Sequence, residues 1–85
     1  MREFCLKERL ETYDKAREVY GLDAQILMAV EEMSELIKEI CKRSRELNSM
    51  ENVAEEIADV TIMLEQMKYL LDLHDTVDRY MDANV

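Results

Sequence analysis

Apolar side chains recur along this chain at intervals of three and four residues, the spacing of one face of an α-helix. Phe4, Cys5, Leu6, Leu10, Tyr13, Ala16, Val19 and Tyr20 keep that spacing and predict a first helix over residues 2–20, closed by Gly21. A second helix is expected over residues 24–47 with Asp23 as its N-cap and Ile26, Val30, Met33, Ile37, Ile40 and Cys41 as its stripe. A polar break, "ELNSMEN", supplies Asn48 or Ser49 as the next cap. A third helix is predicted over residues 50–74, where Val53, Ile57, Val60, Leu64, Met67 and Leu71 alternate four and three apart like a bundle seam. Asp75 is the expected cap of a short tail helix, "TVDRYMDANV". The fold class is therefore all-α: a helical hairpin with flanking helices.

The beginning of the second helix, "AQILMAV", is apolar on nearly every side except Gln25. A helix buried all round needs neighbours on several sides. Eighty-five residues, enough for one domain over residues 1–85, offer few. Subunit association is expected, building four-helix-bundle-type sites between chains. Composition agrees with helices: the chain has no Pro and one Gly, which leaves little material for hairpin turns.

A net charge of -9 argues against a nucleic acid polymer and an anionic membrane as partners, since both need clustered Lys and Arg. No apolar run is long enough to span a bilayer, and the charged start "MREFCLKERLE" is unlike a signal peptide. Cys5 and Cys41 lie far apart, outside any CxxC pattern, and are expected to be reduced, apolar side chains. A cytoplasmic location follows as the expectation.

The chemistry is concentrated in carboxylates. At about 100° per residue, Glu32, Glu35 and Glu39 fall on one flank of the second helix with Gln25 and Met28, while Glu31 points toward Lys38 and Lys42. On the third helix Asp59 lies on the flank, and Glu56 falls among Val53, Val60 and Met63, on the core side. A carboxylate buried without a partner costs several kcal/mol or else takes up a proton. Glu32 and Glu35, spaced i,i+3, and Glu56 and Asp59, spaced alike, would meet if the two helices pack antiparallel. Four carboxylates at one point need a counter-charge. Without histidine among them, the donor set is all oxygen and suits Mg2+ or Mn2+ better than zinc or a di-iron pair.

"EEMSE" at residues 31–35 followed by "EIAD" at 56–59 gives E-E-x-x-E, an interval of about twenty residues, and E-x-x-D. With the wider stretches "QILMAVEEMSELIKEICK" and "NVAEEIADVTIMLEQMK", this resembles the MazG-like, all-α nucleoside triphosphate pyrophosphohydrolases over about residues 20–71. The resemblance implies that Glu32, Glu35, Glu56 and Asp59 are metal-binding and catalytic acids. It also implies that Mg2+ grips the triphosphate, and that an activated water attacks the α-phosphorus to give nucleoside monophosphate and pyrophosphate. It further implies a homodimer or a dimer-of-dimers tetramer. The chain departs from the family pattern at Ser34, where many relatives have Gly, and in its tail, where Arg79 is the only late base. Phosphate contacts would then fall to Lys38, Lys42, Arg43 or Arg45. Gln25 and Gln66, on the acid flank, are candidates to bind a nucleobase or orient water, and Tyr13, Tyr20, Tyr69 and Tyr80 to stack on a base. His74 is expected to cap a helix C-terminus. The competing reading is a non-enzymatic helical oligomerisation or partner-binding module whose acids are a remnant.

Overall fold

In the computed structural model, residues 5–85 are described, and they form four helices. They are α1 (Leu6–Tyr20), α2 (Leu22–Ser44), α3 (Met50–Leu70) and α4 (His74–Asn84). The expected start of the first helix at residue 2, and Phe4 of its stripe, lie outside the described residues. There is no strand among the described residues.

The boundaries follow from local chemistry. Gly21 takes φ +85 and serves both as the end of α1 and as the start of α2, with its N–H donating to the Arg17 carbonyl at 2.8 Å. Asp23 therefore lies inside the first turn of α2 and is not its cap. Its charge still complements the helix N-terminus. Ser49 caps α3 as expected: its hydroxyl oxygen accepts from the Asn52 N–H at 3.3 Å, and the Asn52 side chain accepts from the Ser49 N–H in return.

Two helices end earlier than their apolar pattern suggests, and for one reason. At the end of α2, the Leu47 N–H reaches back to the Lys42 carbonyl at 2.9 Å and the Glu46 N–H to Arg43 at 3.0 Å. At the end of α3, Leu73 bonds to Lys68 at 2.7 Å and Asp72 to Tyr69 at 3.2 Å. Both are Schellman motifs. Their left-handed residues are Glu46 (φ 58) and Asp72 (φ 54), with no glycine to announce them. Leu47, expected inside the second helix, and His74, expected at the end of the third, thus fall beyond these stops. His74 instead opens α4 and stacks on Tyr69 with ring centroids 4.7 Å apart. Asp75 sits in the first turn of α4 and does not cap it.

The helix pair α2 and α3 is the frame, with α1 against both and α4 against α3. Gln25 of α2 meets Gln66 of α3 near the open end, and Glu39 meets Asn48 near the turn, so the two helices run antiparallel. The face of α2 turned toward α3 carries Gln25, Ala29, Glu32, Leu36 and Glu39, all buried or half-buried. The expected stripe lies about 100° away. Val30, Met33, Ile37 and Ile40 are 49%, 36%, 64% and 52% exposed, and Cys41 is exposed too. The reason is competition for the main partner: α3 can cover one face of α2, and the face chosen has Ala29, 1% exposed, a small side chain that lets helices approach, together with the paired polar side chains. On α3 the same rotation buries Val60, Gln66 and Leu70 while Ile57 and Leu64 stay exposed.

Among the described residues of its apolar stripe, α1 buries only Tyr13, and polar contacts fasten the helix. The Arg9 guanidinium donates to both oxygens of Glu65 at 2.6 and 3.2 Å, and the Tyr13 hydroxyl donates to Glu65 Oε1 at 2.8 Å. Burial and the bond to Glu65 push the Tyr13 phenol up to about 12, whereas Arg9 and Tyr13 hold Glu65 below the usual carboxylate range.

Glu46→Gly, by relieving the left-handed backbone, should raise unfolding free energy by about 0.5–1 kcal/mol in urea titration. Tyr13→Phe should lower it by about 1–2 kcal/mol. Because Glu65 is depressed on folding, its contribution is present above the ordinary glutamate range and is lost as pH falls through its folded value. Glu65→Gln should flatten that part of an acid unfolding curve.

Candidate metal centre

The acid motif of α2 and that of α3 are brought to one point by the antiparallel hairpin. One carboxylate oxygen from each of Glu32, Glu56 and Asp59 lies within 4.8 Å of the others, and all three residues are half-buried. Glu32 projects from the α3-facing side of α2, one turn after the fully buried Ala29. Glu56 and Asp59 project from consecutive turns of α3. The i,i+3 spacing in each motif is what stacks such side chains on one helix face.

The electrostatics of the cluster are adverse as it stands. Oε2 of Glu56 is closed off from solvent and has no hydrogen-bond partner. Burial pushes the Glu56 carboxyl above the ordinary range, and the charges of Glu32 and Asp59 push the same way, as do hydrogen bonding toward Glu32 and the charge of Glu35. Three acids within 4.8 Å and an orphaned oxygen are what a bound cation would resolve. The donor set is hard oxygen throughout, which fits Mg2+ or Mn2+ and does not select for zinc.

The remaining predicted residues divide. Glu35 is exposed and stands outside the close trio, near enough for its charge to act on Glu56. Lys38 is exposed. Lys42 is half-buried and pairs with Glu39 at 3.5 Å. Arg43 donates to the Asn48 carbonyl at 3.0 Å, and Asn48 Nδ2 donates to the Glu39 carbonyl at 2.9 Å. Arg43, Glu39 and Asn48 thus build the α2–α3 turn. Gln25 is not presented to a substrate: it is 5% exposed, and its side-chain oxygen accepts from Nε2 of Gln66, itself 3% exposed. Tyr13 is likewise unavailable for stacking on a base, being buried against Glu65, and Tyr69 is occupied by His74.

Sequence reasoning missed Glu65, which joins α1 to α3 through Arg9 and Tyr13. The signal was faint: Arg9 and Tyr13 are spaced i,i+4 and share a face, but nothing in the chain names their acidic partner. No protein-family model matches this chain, and no curated protein and no solved structure matches it either. No described helix is long and apolar enough to cross a membrane.

Glu56→Gln separates the two states of the cluster. In metal-free buffer it should raise Tm, because an amide can donate to the neighbouring carboxylates and carries no charge. The wild-type protein should gain about 3 kcal/mol at Mg2+ or Mn2+ a hundredfold above Kd, and the variant should gain little. Thermal melts with and without metal read both effects.

Proposed function

We propose that this protein is a Mg2+-dependent nucleoside triphosphate pyrophosphohydrolase that releases nucleoside monophosphate and pyrophosphate, with non-standard or deoxy nucleotides as the substrate class. The observation that carries the reading is the meeting of Glu32, Glu56 and Asp59 from two antiparallel helices around an orphaned carboxylate oxygen. The resemblance of "EEMSE" and "EIAD" to the MazG-like pattern gives that cluster a reaction.

Glu32, Glu56 and Asp59 would hold the cation. Bound there, a divalent ion supplies charge neutralisation for the triphosphate and a more acidic water. Glu35, the exposed acid of the set, would take a proton from the attacking water. The water oxygen joins the α-phosphorus, the bond to the bridging oxygen breaks, and pyrophosphate leaves. Exposed Lys38 and half-buried Lys42, one to three turns beyond the acids on α2, are the nearest bases in sequence for the phosphates. The exposed stripe of Val30, Met33, Ile37 and Ile40 supports association of copies, as a homodimer or a dimer of dimers. The same stripe favours the second reading, a helical assembly module with no catalysis.

A panel of standard and modified nucleoside triphosphates with Mg2+, scored for pyrophosphate against orthophosphate, tests the proposal. Pyrophosphate with monophosphate is expected, and Glu56→Gln should reduce turnover by about a hundredfold or more while far-UV circular dichroism stays helical. Orthophosphate as the sole inorganic product would move the cleaved bond and overturn the mechanism. Absence of any product, together with a Tm indifferent to Mg2+, would favour the assembly module.

A further inference from the structure

The buried pair Gln25–Gln66 lies on the same seam as the acid cluster. Glu32 is seven residues after Gln25 on α2, and Asp59 is seven residues before Gln66 on α3. Two turns of helix, about 10 Å, separate the pair from the cluster on both sides of the seam. At the other end, Asn48 Nδ2 donates to the carbonyl and to the carboxylate of Glu39, again seven residues from Glu32. The acids thus sit between two polar clamps, one at the turn and one at the open end.

The clamps differ from the rest of the seam in what they tolerate. Ala29, Val60, Leu70 and the half-buried Met63 would pack comparably after α2 slides or rotates against α3, because dispersion contacts have little direction. Two buried amides do not share that freedom. Separated, each would lose its hydrogen bond inside the protein, so only the arrangement that joins them is favourable. A buried polar pair between helices fixes their register, because only one alignment joins the two groups. A slip of one helical turn displaces facing residues by about 5.4 Å. That exceeds the 4.8 Å within which the three carboxylates meet.

We propose that Gln25 and Gln66 are positioning residues that set the register of α2 against α3 and so hold Glu32, Glu56 and Asp59 at one point. The proposal rests on the reading of that cluster as a metal centre. Neither amide is one of the clustered acids, and each is spent on the other. Their part is to fix the far end of the hairpin, where the loop's clamp has least leverage.

The variant Q25M/Q66M replaces both amides by apolar side chains of similar length, and Q25L/Q66L is carried in parallel as a second apolar pair. Helicity and metal-free Tm should equal or exceed wild type, since no unpaired amide is left. Mn2+ uptake, followed by the electron paramagnetic resonance signal of the free ion, should weaken at least tenfold. Uptake within twofold of wild type would overturn the proposal. Register is read independently of metal with Cys5→Ser, a spin label on exposed Cys41 and another on Ala58→Cys, the labelled chain being diluted with unlabelled protein. A narrow distance distribution in the wild-type pair that broadens or shifts by several ångströms in Q25M/Q66M supports the proposal, and an unchanged narrow distribution overturns it. If wild-type protein takes up no Mn2+, the metal reading fails while the distance measurement still decides the register.

Discussion

Mutual repulsion of carboxylates in the seam between α2 and α3 is the constraint around which the molecule is arranged. Burial and the neighbouring charges of Glu32 and Asp59 hold the Glu56 carboxyl above the ordinary range, with one oxygen of each acid drawn to the same place. Left to themselves these groups would push the helices apart. The hairpin nevertheless holds them together by means located elsewhere along the seam: the small side chain of Ala29, the amide pair at the open end, and the turn built from Glu39, Arg43, Asn48 and Ser49. Local adversity sustained by surrounding structure is the usual condition of a functional site.

The same arrangement explains where the apolar surface went. Turning the acids inward on α2 necessarily turns Val30, Met33, Ile37 and Ile40 outward, because the two sets lie about 100° apart on one helix. The exposed stripe is therefore the geometrical counterpart of the acid cluster. A single hairpin cannot cover both faces, and the association proposed above would cover the one left exposed.

α1 and α4 flank the hairpin and are fastened by different chemistry. The Arg9–Glu65–Tyr13 contact ties α1 to the side of α3 that faces away from the acids, with all three partners charged or polar. α4 is turned back by the Schellman motif at Asp72 and held by Lys68–Asp78 at 3.0 Å and by the His74 ring on Tyr69. Between α3 and α4 lies an apolar groove of about 420 Å3, lined by residues including Leu64, Met67, Leu73, Val77 and Met81. None of these features reaches the acid cluster, so the chemistry proposed for the protein resides in the central hairpin.

The periodicity of apolar residues determined that this chain is helical, and Gly21 and Ser49 placed two of its breaks, since both act through their immediate neighbours. The spacing of "EEMSE" and "EIAD" likewise put each acid pair on one helix face before any packing was known. Tertiary structure decided which face turned inward. Helical spacing marks Met33 and Glu32 as adjacent faces of α2 without ranking them, and the choice depended on Ala29, on Gln25 meeting Gln66 and on the length of the turn. It also decided that Gln25 is buried structure, that Glu65 is a tie, and that α2 and α3 stop just before Glu46 and Asp72, whose left-handed backbone no glycine foretold. Local order was legible because it needs only residues a few positions apart. Burial of a polar side chain was not, because its partner lies forty or more positions away and only the packed hairpin brings the two together.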